Sequence, residues 1–338
     1  MTISQNVSLK PYNTFGIDAK ARYFTSFDSK EALREILESE EWKDVPRMIL
    51  GGGSNILLTK DFDGLVLKND IKGIHAIKED DEHVYIQAGA GENWHGFVQY
   101  CIQHNLAGLE NLSLIPGNVG ASPMQNIGAY GAEIKDTFYE LSAYHMNDHA
   151  VVNFNKDACD FGYRESVFKR QYKGQFAIMS VVYRLHKKHH FNTTYGAIEQ
   201  ELAHMGITQL SLQSISQAVI NIRSSKLPNP AEIGNAGSFF KNPEISSAQY
   251  ETLKAAFPDV VAYPLAGGHY KLAAGWLIDQ CGLKGYRTGD AGVHAKQALV
   301  LVNYGNATGS EIYDLSTYVL STVKAKFGVD LEREVNII

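Results

Sequence analysis

The chain is poor in cysteine and has no long apolar run. Its 338 residues include three cysteines, Cys101, Cys159 and Cys281, which lie far apart and form no C-x-x-C pair. A disulfide framework and a thiolate zinc site are therefore not expected, whereas a reducing, cytoplasmic compartment is. No apolar run approaches the ~18 residues that a membrane span needs, and the first residues contain no apolar segment of the signal-peptide kind.

Positive charge is scarce as well. The sequence carries 31 lysines and arginines against 37 acidic residues, which gives a formal net charge of -6. This excludes the overall basic field that is typical of nucleic-acid binders. The basic stretch "HKKHH" (186–190) is interpreted as a solvated loop, since a metal site needs spaced ligands on a rigid element. We expect no nucleic-acid, membrane or metal partner, and a monomer.

The mixture of apolar patterns predicts an α+β fold, because strands often follow strands without a helix between them. Helices are predicted at 28–37, 93–105, 215–226, 246–257, 271–283 and 310–327, and strands at 47–50, 64–69, 83–89, 138–146, 151–155, 176–185, 298–303 and 329–338. Asp28 is the expected cap of the first helix, with Glu31 at the capping-box position. "LPNP" (227–230) breaks regular structure and predicts a domain boundary.

Glycine clusters are the strongest signal that the sequence offers. "GGGSN" (51–55) follows a predicted strand, and a long glycine-studded passage covers 108–134. Successive glycine N–H groups can bind an anion, because no Cβ blocks the approach. "GGGSN" is not a P-loop, since no Lys-Ser/Thr follows, and not a Rossmann fingerprint, since Ile56 stands where the third glycine should be. "GAGENWHG" (89–96) fails the fingerprint as well, with Trp94 at that position. Each loop alone is more often a tight turn; together they favour a large anionic cofactor.

Three side chains remain ambiguous from their own surroundings. Ser238 in "GNAGSFFKNP" (234–243) lacks the second glycine of a nucleophile elbow, because Phe240 stands there, so it is a loop serine or has another role. Arg164 alone is compatible with a surface salt bridge. Glu334 alone is an outward residue of the last predicted strand, on the same face as Glu332. Two histidines beside glycines are interpreted as structural: His95 and His269.

Long motifs, in order along nearly the whole chain, resemble those of the UDP-N-acetylenolpyruvoylglucosamine reductases. They are "NTFGI" (13–17), "GGGSN", "GLENLSLIPGNVGASPMQNIGAYGAEI" (108–134), "FGYRES" (161–166), "KLPNP" (226–230), "GNAGSFFKNP", "KLAAGWLIDQCGLKG" (271–285) and "LEREV" (331–335). "TTYGAIEQEL" (193–202) is similar to the tyrosine-loop segment of the first type of this family.

The resemblance implies a two-part FAD-binding region of the vanillyl-alcohol-oxidase (PCMH) type, followed by an α/β substrate-binding domain. The expected boundaries are 1–68 and 69–226 for the two FAD-binding subdomains, with the tyrosine-loop insertion near 190–205. The substrate-binding domain is expected at 227–328, and residues 329–338 are expected to form a strand that returns to the active site.

The resemblance also implies the reaction and its residues. NADPH would reduce FAD, and flavin N5 would pass hydride to the enolpyruvyl ether of UDP-N-acetylglucosamine, a step of peptidoglycan synthesis. Ser238 would donate the proton, while Arg164 and Glu334 would stabilise the enolate, with Glu334 protonated or hydrogen-bonded. The implied FAD contacts are Gly51, Gly52, Gly53, Ser54, Asn55, Gly117, Ser122, Gln125, Asn126, Gly128 and Ala129. The implied substrate contacts are Tyr163, Tyr195, Lys226, Asn242 and Gln297.

Two alternatives stay open at this point. Another FAD oxidoreductase of the same flavin fold is mildly favoured by the absence of a second dinucleotide fingerprint, but it leaves "NAGSFFKNP" and "LEREV" without a purpose. A non-catalytic nucleotide-binding module could use the same glycine loops.

Overall fold

The computed structural model describes residues 2–338, which fold as two compact units. The first unit contains the N-terminal residues up to Val7 together with Ala21–Gly52 and Asp63–Ser225. The second contains Ser8–Lys20, Gly53–Phe62 and Lys226–Ile338. Within the described part of the chain, no helix has the length and apolar character needed to cross a membrane.

Over residues 2–338 the structure has twenty strands and eight α-helices. The strands are β1 (Ser4–Ser8), β2 (Lys20–Phe27), β3 (Arg47–Leu50), β4 (Ile56–Leu57), β5 (Phe62–Asn69), β6 (Ile74–Glu79), β7 (His83–Gly89), β8 (Gly128–Ala129), β9 (Ala132–Glu133), β10 (Phe138–His145), β11 (Ala150–Asn155), β12 (Phe176–His186), β13 (Gly234–Ser238), β14 (Glu244–Ser246), β15 (Ala262–Leu265), β16 (His269–Leu272), β17 (Arg287–Thr288), β18 (Ala291–Val293), β19 (Val300–Asn303) and β20 (Asn336–Ile337). The helices are α1 (Lys30–Glu38), α2 (Trp94–Gln103), α3 (Lys156–Cys159), α4 (Gly196–His204), α5 (Leu212–Lys226), α6 (Ser247–Ala256), α7 (Ala274–Gln280) and α8 (Gly309–Phe327).

The first unit is built on two sheets. One has the strand order β1-β2-β5-β3, with β3 and β5 parallel. The other is antiparallel in the order β11-β10-β12-β7-β6. Helix α2 buries Trp94 and Phe97 in the core beside the second sheet, and the indole N–H of Trp94 donates to the carbonyl of Leu112 (2.9 Å). The start of α2 is thereby fixed to the glycine-rich passage that follows it.

The predicted cap of α1 is wrong by one residue. Ser29, not Asp28, is the N-cap, and its hydroxyl accepts from the N–H of Ala32 (3.2 Å). Both residue types cap well, so composition alone cannot choose between neighbours. The helix buries Leu33, Ile36 and Leu37 on one face.

The second unit is built on an antiparallel sheet in the order β13-β19-β18-β17 and a three-stranded sheet in the order β14-β16-β15. Helix α8 begins at a capping box made by Thr308 and Glu311. It ends at Gly328, whose φ of 70° is the left-handed conformation in which glycine commonly ends a helix. The N-terminal segments join this unit through specific contacts; for example, the N–H of Asn235 donates to the carbonyl of Thr14 (2.9 Å).

The predicted strand over 329–338 is wrong for most of its length. Only β20 forms a regular ladder, and its parallel partner is β4. Upstream, residues 332–334 bond to an irregular segment: the N–H of Lys241 donates to the carbonyl of Glu332 (2.9 Å), and that of Glu334 donates to the carbonyl of Phe239 (2.8 Å). Because the backbone does not alternate regularly here, Glu332 is exposed whereas Glu334 is 8% exposed, so the expected shared outward face is also wrong.

The predicted domain limits stay a prediction. The start of the second unit at Lys226 lies beside the predicted boundary, but residues 8–20 and 53–62 group with the C-terminal unit rather than with their sequence neighbours.

Candidate active site

Two of the glycine-rich segments meet inside the first unit. The loop Gly51–Asn55 follows β3, and its first two residues belong to this unit. A Cβ at Gly52 would lie 2.8 Å from both the Cα of Gly117 and the Oδ1 of Asn118, so only glycine permits this approach. Among the described residues, the N–H of Gly52 donates to no backbone carbonyl. A backbone donor without a side chain beside it suits a diphosphate oxygen, so this loop fits the expected cofactor.

The 125–131 loop is held mainly by Asn126. This residue is fully buried and has a φ of 44°. Its amide donates to the carbonyl of Gly162 (3.0 Å) and to the carboxylate of Glu133 (3.2 Å), and its Oδ1 accepts from the N–H of Lys135 (3.1 Å). The side chain is therefore used within the protein, which leaves backbone groups of this loop to face a ligand. Ser122, just upstream, shares a hydrogen bond with the buried hydroxyl of Tyr183 (2.6 Å).

Arg164 lies at the tip of a tight turn. Gly162 and Glu165 exchange backbone hydrogen bonds (3.0 and 3.4 Å), so Tyr163 and Arg164 form a two-residue tip. Arg164 has a φ of 56°, a conformation that favours glycine or asparagine and that costs about 1–3 kcal/mol in other residues. A Cβ at Gly128 would lie 3.4 Å from Nη1 of Arg164, which places the guanidinium beside the 125–131 loop. Strain of this kind is typical of functional sites.

Sequence reasoning missed a second arginine of the first unit. Nε of Arg223 donates to the carbonyl of Leu114 (3.2 Å), and the charge of Arg223 opposes the rise that burial causes in the pKa of Tyr130. Burial lowers the pKa of Arg223, and the charge of Arg164 acts in the same direction. The Tyr130 ring in turn packs edge-on against Tyr195 at 5.3 Å. The sequence carried no signal that Arg223 acts on Tyr130 and lies near Arg164, because Arg223 lies in an ordinary helical pattern.

His95 has the structural role that the sequence analysis gave it. Its Nδ1 accepts from the N–H of Leu114 (2.9 Å), a residue with a φ of 58°. Burial lowers the pKa of His95, and the nearby charge of Arg223 lowers it further. The neutral ring is therefore favoured, as an acceptor at Nδ1 requires.

The rest of the glycine loop lies in the second unit. A Cβ at Gly53, whose φ is 60°, would lie 2.0 Å from the carbonyl oxygen of Tyr12, so glycine is required. Asn55 reaches the C-terminal segment: its Nδ2 lies 3.4 Å from the carbonyl of Glu334, and its own carbonyl accepts from the N–H of Asn336 (3.1 Å). Ser54, which lies between Gly53 and Asn55 in this loop, is half-buried.

Ser238 ends strand β13 opposite Val300, after a register shift that follows Asn235. Gly237 has a φ of 71°, and a Cβ there would meet nothing within 4 Å. Gly237 therefore serves this bulge through its conformation rather than through close approach, and such bulges redirect the next side chain. Ser238 is half-buried, whereas Phe239 is fully buried, as expected for a residue that excludes water.

Glu334 lies close to Ser238 within the second unit. Its N–H donates to the carbonyl of Phe239, the residue after Ser238, and Phe240 bridges to Arg333. Arg333 is anchored by its Nε, which donates to the hydroxyl of Ser316 on α8 (2.7 Å). The structure thus brings two of the three expected catalytic residues together on one irregular ladder.

The expected substrate residues of the second unit have unequal surroundings. Oδ1 of Asn242 accepts from the N–H of Ala274 (2.9 Å), so Asn242 caps α7 from outside the helix. Oε1 of Gln297 would lie 3.2 Å from a Cβ at Gly275, in the first turn of α7. Lys226, the last residue of α5, is exposed. Asn242 and Gln297 therefore both lie at the N-terminus of α7.

Comparison with known proteins identifies the family. A model described as "UDP-N-acetylenolpyruvoylglucosamine reductase, C-terminal domain" matches residues 229–338, and a model described as "FAD binding domain" matches 21–148. The UDP-N-acetylenolpyruvoylglucosamine reductase of Flavobacterium johnsoniae is 53% identical over 100% of both chains, and that of Amoebophilus asiaticus is 50% identical over 100% of both. The chain belongs to the UDP-N-acetylenolpyruvoylglucosamine reductase family. The crystal structure of such a reductase from Thermus caldophilus shares the fold, with a TM-score of 0.70 and 24% identity over 100% of this chain and 99% of that one.

Membership of this reductase family confirms several predictions. The α+β fold with an FAD-binding region is confirmed, as are the FAD cofactor and the class of FAD-dependent oxidoreductase. The roles of individual residues are not tested by these similarities and stay predictions.

Proposed function

We propose that this protein catalyses the NADPH-dependent reduction of the enolpyruvyl ether of UDP-N-acetylglucosamine to UDP-N-acetylmuramate. The observation that carries the proposal is the ladder in the second unit, where Ser238 and the buried Glu334 lie on paired segments. The alternative of another flavin oxidase gives no purpose to this serine and this buried glutamate on paired segments.

The cofactor would be held by chain segments that fit it. The N–H of Gly52 and the closely packed Gly117 would serve the diphosphate, with Gly51, Gly53, Ser54 and Asn55 along the same loop. Ser122, Gln125, Asn126, Gly128 and Ala129 would form the wall of the flavin site. Bound FAD supplies hydride, obtained from NADPH, to the terminal carbon of the enolpyruvyl double bond.

The protein's own residues then manage charge and proton. Hydride addition leaves negative charge on the carbon beside the substrate carboxylate and on the carboxylate oxygens. The guanidinium of Arg164 would bind those oxygens at two points, and preorganised donors of this kind are worth about 3–4 kcal/mol each. Glu334 would be protonated or hydrogen-bonded during turnover, and in its protonated form it would add a further donor.

Ser238 would complete the reaction by giving its hydroxyl proton to the carbanion. A serine hydroxyl is a weak acid, so it keeps its proton until a strong base forms. General acid help of this kind contributes about 10²–10⁴-fold to the rate. Within residues 2–338 no hydrogen bond engages the Ser238 hydroxyl, which leaves it available for this step.

The nucleotide half of the substrate would be bound by Lys226, Tyr163, Tyr195, Asn242 and Gln297. Lys226 is exposed and cationic, as a diphosphate contact should be, and Tyr195 is 48% exposed. Tyr195 would pack over the nucleotide.

An anaerobic two-stage assay tests the proposal. NADPH should bleach the yellow protein, and UDP-N-acetylglucosamine enolpyruvate should then restore the colour and yield UDP-N-acetylmuramate. Bleaching without recovery would favour a different flavin oxidoreductase. A preparation that takes up no FAD would contradict the proposal, because the proposed reduction needs FAD to supply the hydride.

A further inference from the structure

Asn111 joins two loops that lie far apart in the sequence. It is 2% exposed and belongs to the short helical turn Glu110–Leu112. Its Nδ2 donates to the carbonyl of Tyr130 (2.9 Å) and to the carbonyl of Asn192 (2.9 Å). Both acceptors are carbonyl oxygens, so the amide nitrogen must face them and the orientation of the side chain is fixed.

A second asparagine, Asn192, adds hydrogen bonds between the same two loops. We call the hydrogen bonds of Asn111 and Asn192 together the circuit. Nδ2 of Asn192 donates to the carbonyl of Gly131 (2.8 Å), and its Oδ1 accepts from the hydroxyl of Thr194 (2.8 Å). Two consecutive carbonyls directly after Ala129, those of Tyr130 and Gly131, thus each accept from an asparagine amide.

The captured segment has an unfavourable backbone conformation. Tyr130 has a φ of 51° and Gly131 a φ of 79°. A left-handed conformation is unfavourable for an L-residue such as tyrosine, so it persists only where the surroundings fix it. The hydrogen bond from Asn111 to the Tyr130 carbonyl is positioned to do this.

The same circuit sets the place of Tyr195. Within the tyrosine-loop segment, residues 192–195 lead from Asn192 to Tyr195, whose ring packs edge-on against Tyr130 at 5.3 Å. The charge of Arg223 acts on the nearby hydroxyl of Tyr130. Tyr195 is nearly half exposed, and its carbonyl accepts from the N–H of Ile198 (2.8 Å); the ring contact and the backbone circuit restrain it further.

We propose that Asn111 is a positioning residue, which fixes the tyrosine loop against Tyr130 and so presets Tyr195 over the nucleotide part of the substrate. Asn111 acts through Tyr130 and Asn192. The consequence for substrate binding rests on the proposed function, whereas the restraint of the loop does not.

The test compares two substitutions of buried asparagines. Asn111→Asp keeps the shape of the side chain but sets a carboxylate against two carbonyl oxygens. Asn69→Asp is the matched control, because Asn69 is also buried (4% exposed) and its Nδ2 also donates to a carbonyl, that of Ile178 (2.8 Å). Asn192→Ala, at a partly exposed site, breaks the circuit without introducing a buried charge.

Hydrogen exchange of backbone amides gives a readout that does not need activity. Asn111→Asp removes two hydrogen bonds, and Asn192→Ala removes three, one of them from the N–H of Thr194 (3.3 Å). We therefore expect exchange over 193–196 and 129–132 to accelerate roughly tenfold or more in these two variants, but not in Asn69→Asp. The KM for the UDP-sugar should rise by a similar factor, while FAD content and the limiting rate of bleaching at saturating NADPH should stay within about twofold.

Two results would overturn the proposal. One is unchanged exchange of the tyrosine loop in Asn192→Ala together with an unchanged KM. The other is an equal rise of KM in Asn69→Asp, which would indicate general destabilisation. If exchange accelerates as expected while the wild-type protein does not reduce the enolpyruvyl ether, the positioning role stands and the proposed function fails.

Discussion

At the scale of single residues, the account depends on side chains whose type is less informative than their placement. Arg164 and Ser238 were both ambiguous in the sequence. In the structure, Arg164 has a strained backbone at a turn tip, and Ser238 follows a bulge made by Gly237. Neither feature is visible in hydrophobic periodicity, because both arise from local departures from regular structure.

Arg164→Lys tests the forked geometry of the guanidinium. Lysine keeps the charge but cannot bind a carboxylate at two points, so kcat should fall by about 10²–10³-fold with FAD content unchanged. Arg170→Lys is the matched control in the same unit, since Arg170 pairs at the surface with Asp160. Kinetics of both variants check the prediction, and a loss below about threefold in Arg164→Lys would remove Arg164 from the catalytic set.

At the scale of elements, many of the regular helices and strands were predicted from the sequence, whereas β2, β6, α4 and the functional connections were not. The strand at 47–50 and helices α2 and α8 lie where periodicity and glycine placed them. The prediction of a strand over 329–338 was wrong for most of its length, because residues 332–334 hydrogen-bond to the irregular segment 239–241 instead of forming a regular ladder. Contacts between distant segments decide such cases, and a single sequence does not encode them in a readable pattern.

Helix α7 provides the prediction at this scale, because Asn242 caps it from another segment. Asn242→Ala should lower the free energy of unfolding by about 1 kcal/mol and raise the KM for the UDP-sugar. Asn242→Asp should restore stability, since a carboxylate accepts well at a helix N-terminus, but it cannot restore a lost amide donor.

Chemical denaturation and steady-state kinetics of Asn242→Ala and Asn242→Asp separate the two roles. If the KM recovers together with stability in Asn242→Asp, the cap alone explains the residue, and a direct substrate contact by its amide is ruled out.

At the scale of the whole molecule, stability should depend on the protonation of the half-buried His95. Burial lowers the pKa of His95, and the charge of Arg223 contributes, whereas the unfolded chain has the ordinary value of 6.5. As pH falls below that value, the unfolded state takes up protons that the folded state resists. The stability from neutral His95 is therefore full above pH 6.5 and is lost as pH falls through the lowered pKa.

His95→Gln should lose less stability than the wild type when pH falls from about 7.5 to about 5.5, since glutamine does not titrate. Unfolding by denaturant at the two pH values measures the difference. Equal losses in the two proteins would show that His95 does not control this dependence.

The most direct test of the central claim, that Ser238 gives the proton, separates the two half-reactions in Ser238→Ala. Anaerobic stopped-flow mixing follows bleaching of the flavin by NADPH and then its recovery with UDP-N-acetylglucosamine enolpyruvate. The account predicts bleaching within about twofold of wild type and recovery slowed by about 10²–10⁴-fold. Recovery at the wild-type rate, or an equal slowing of both stages, would contradict it.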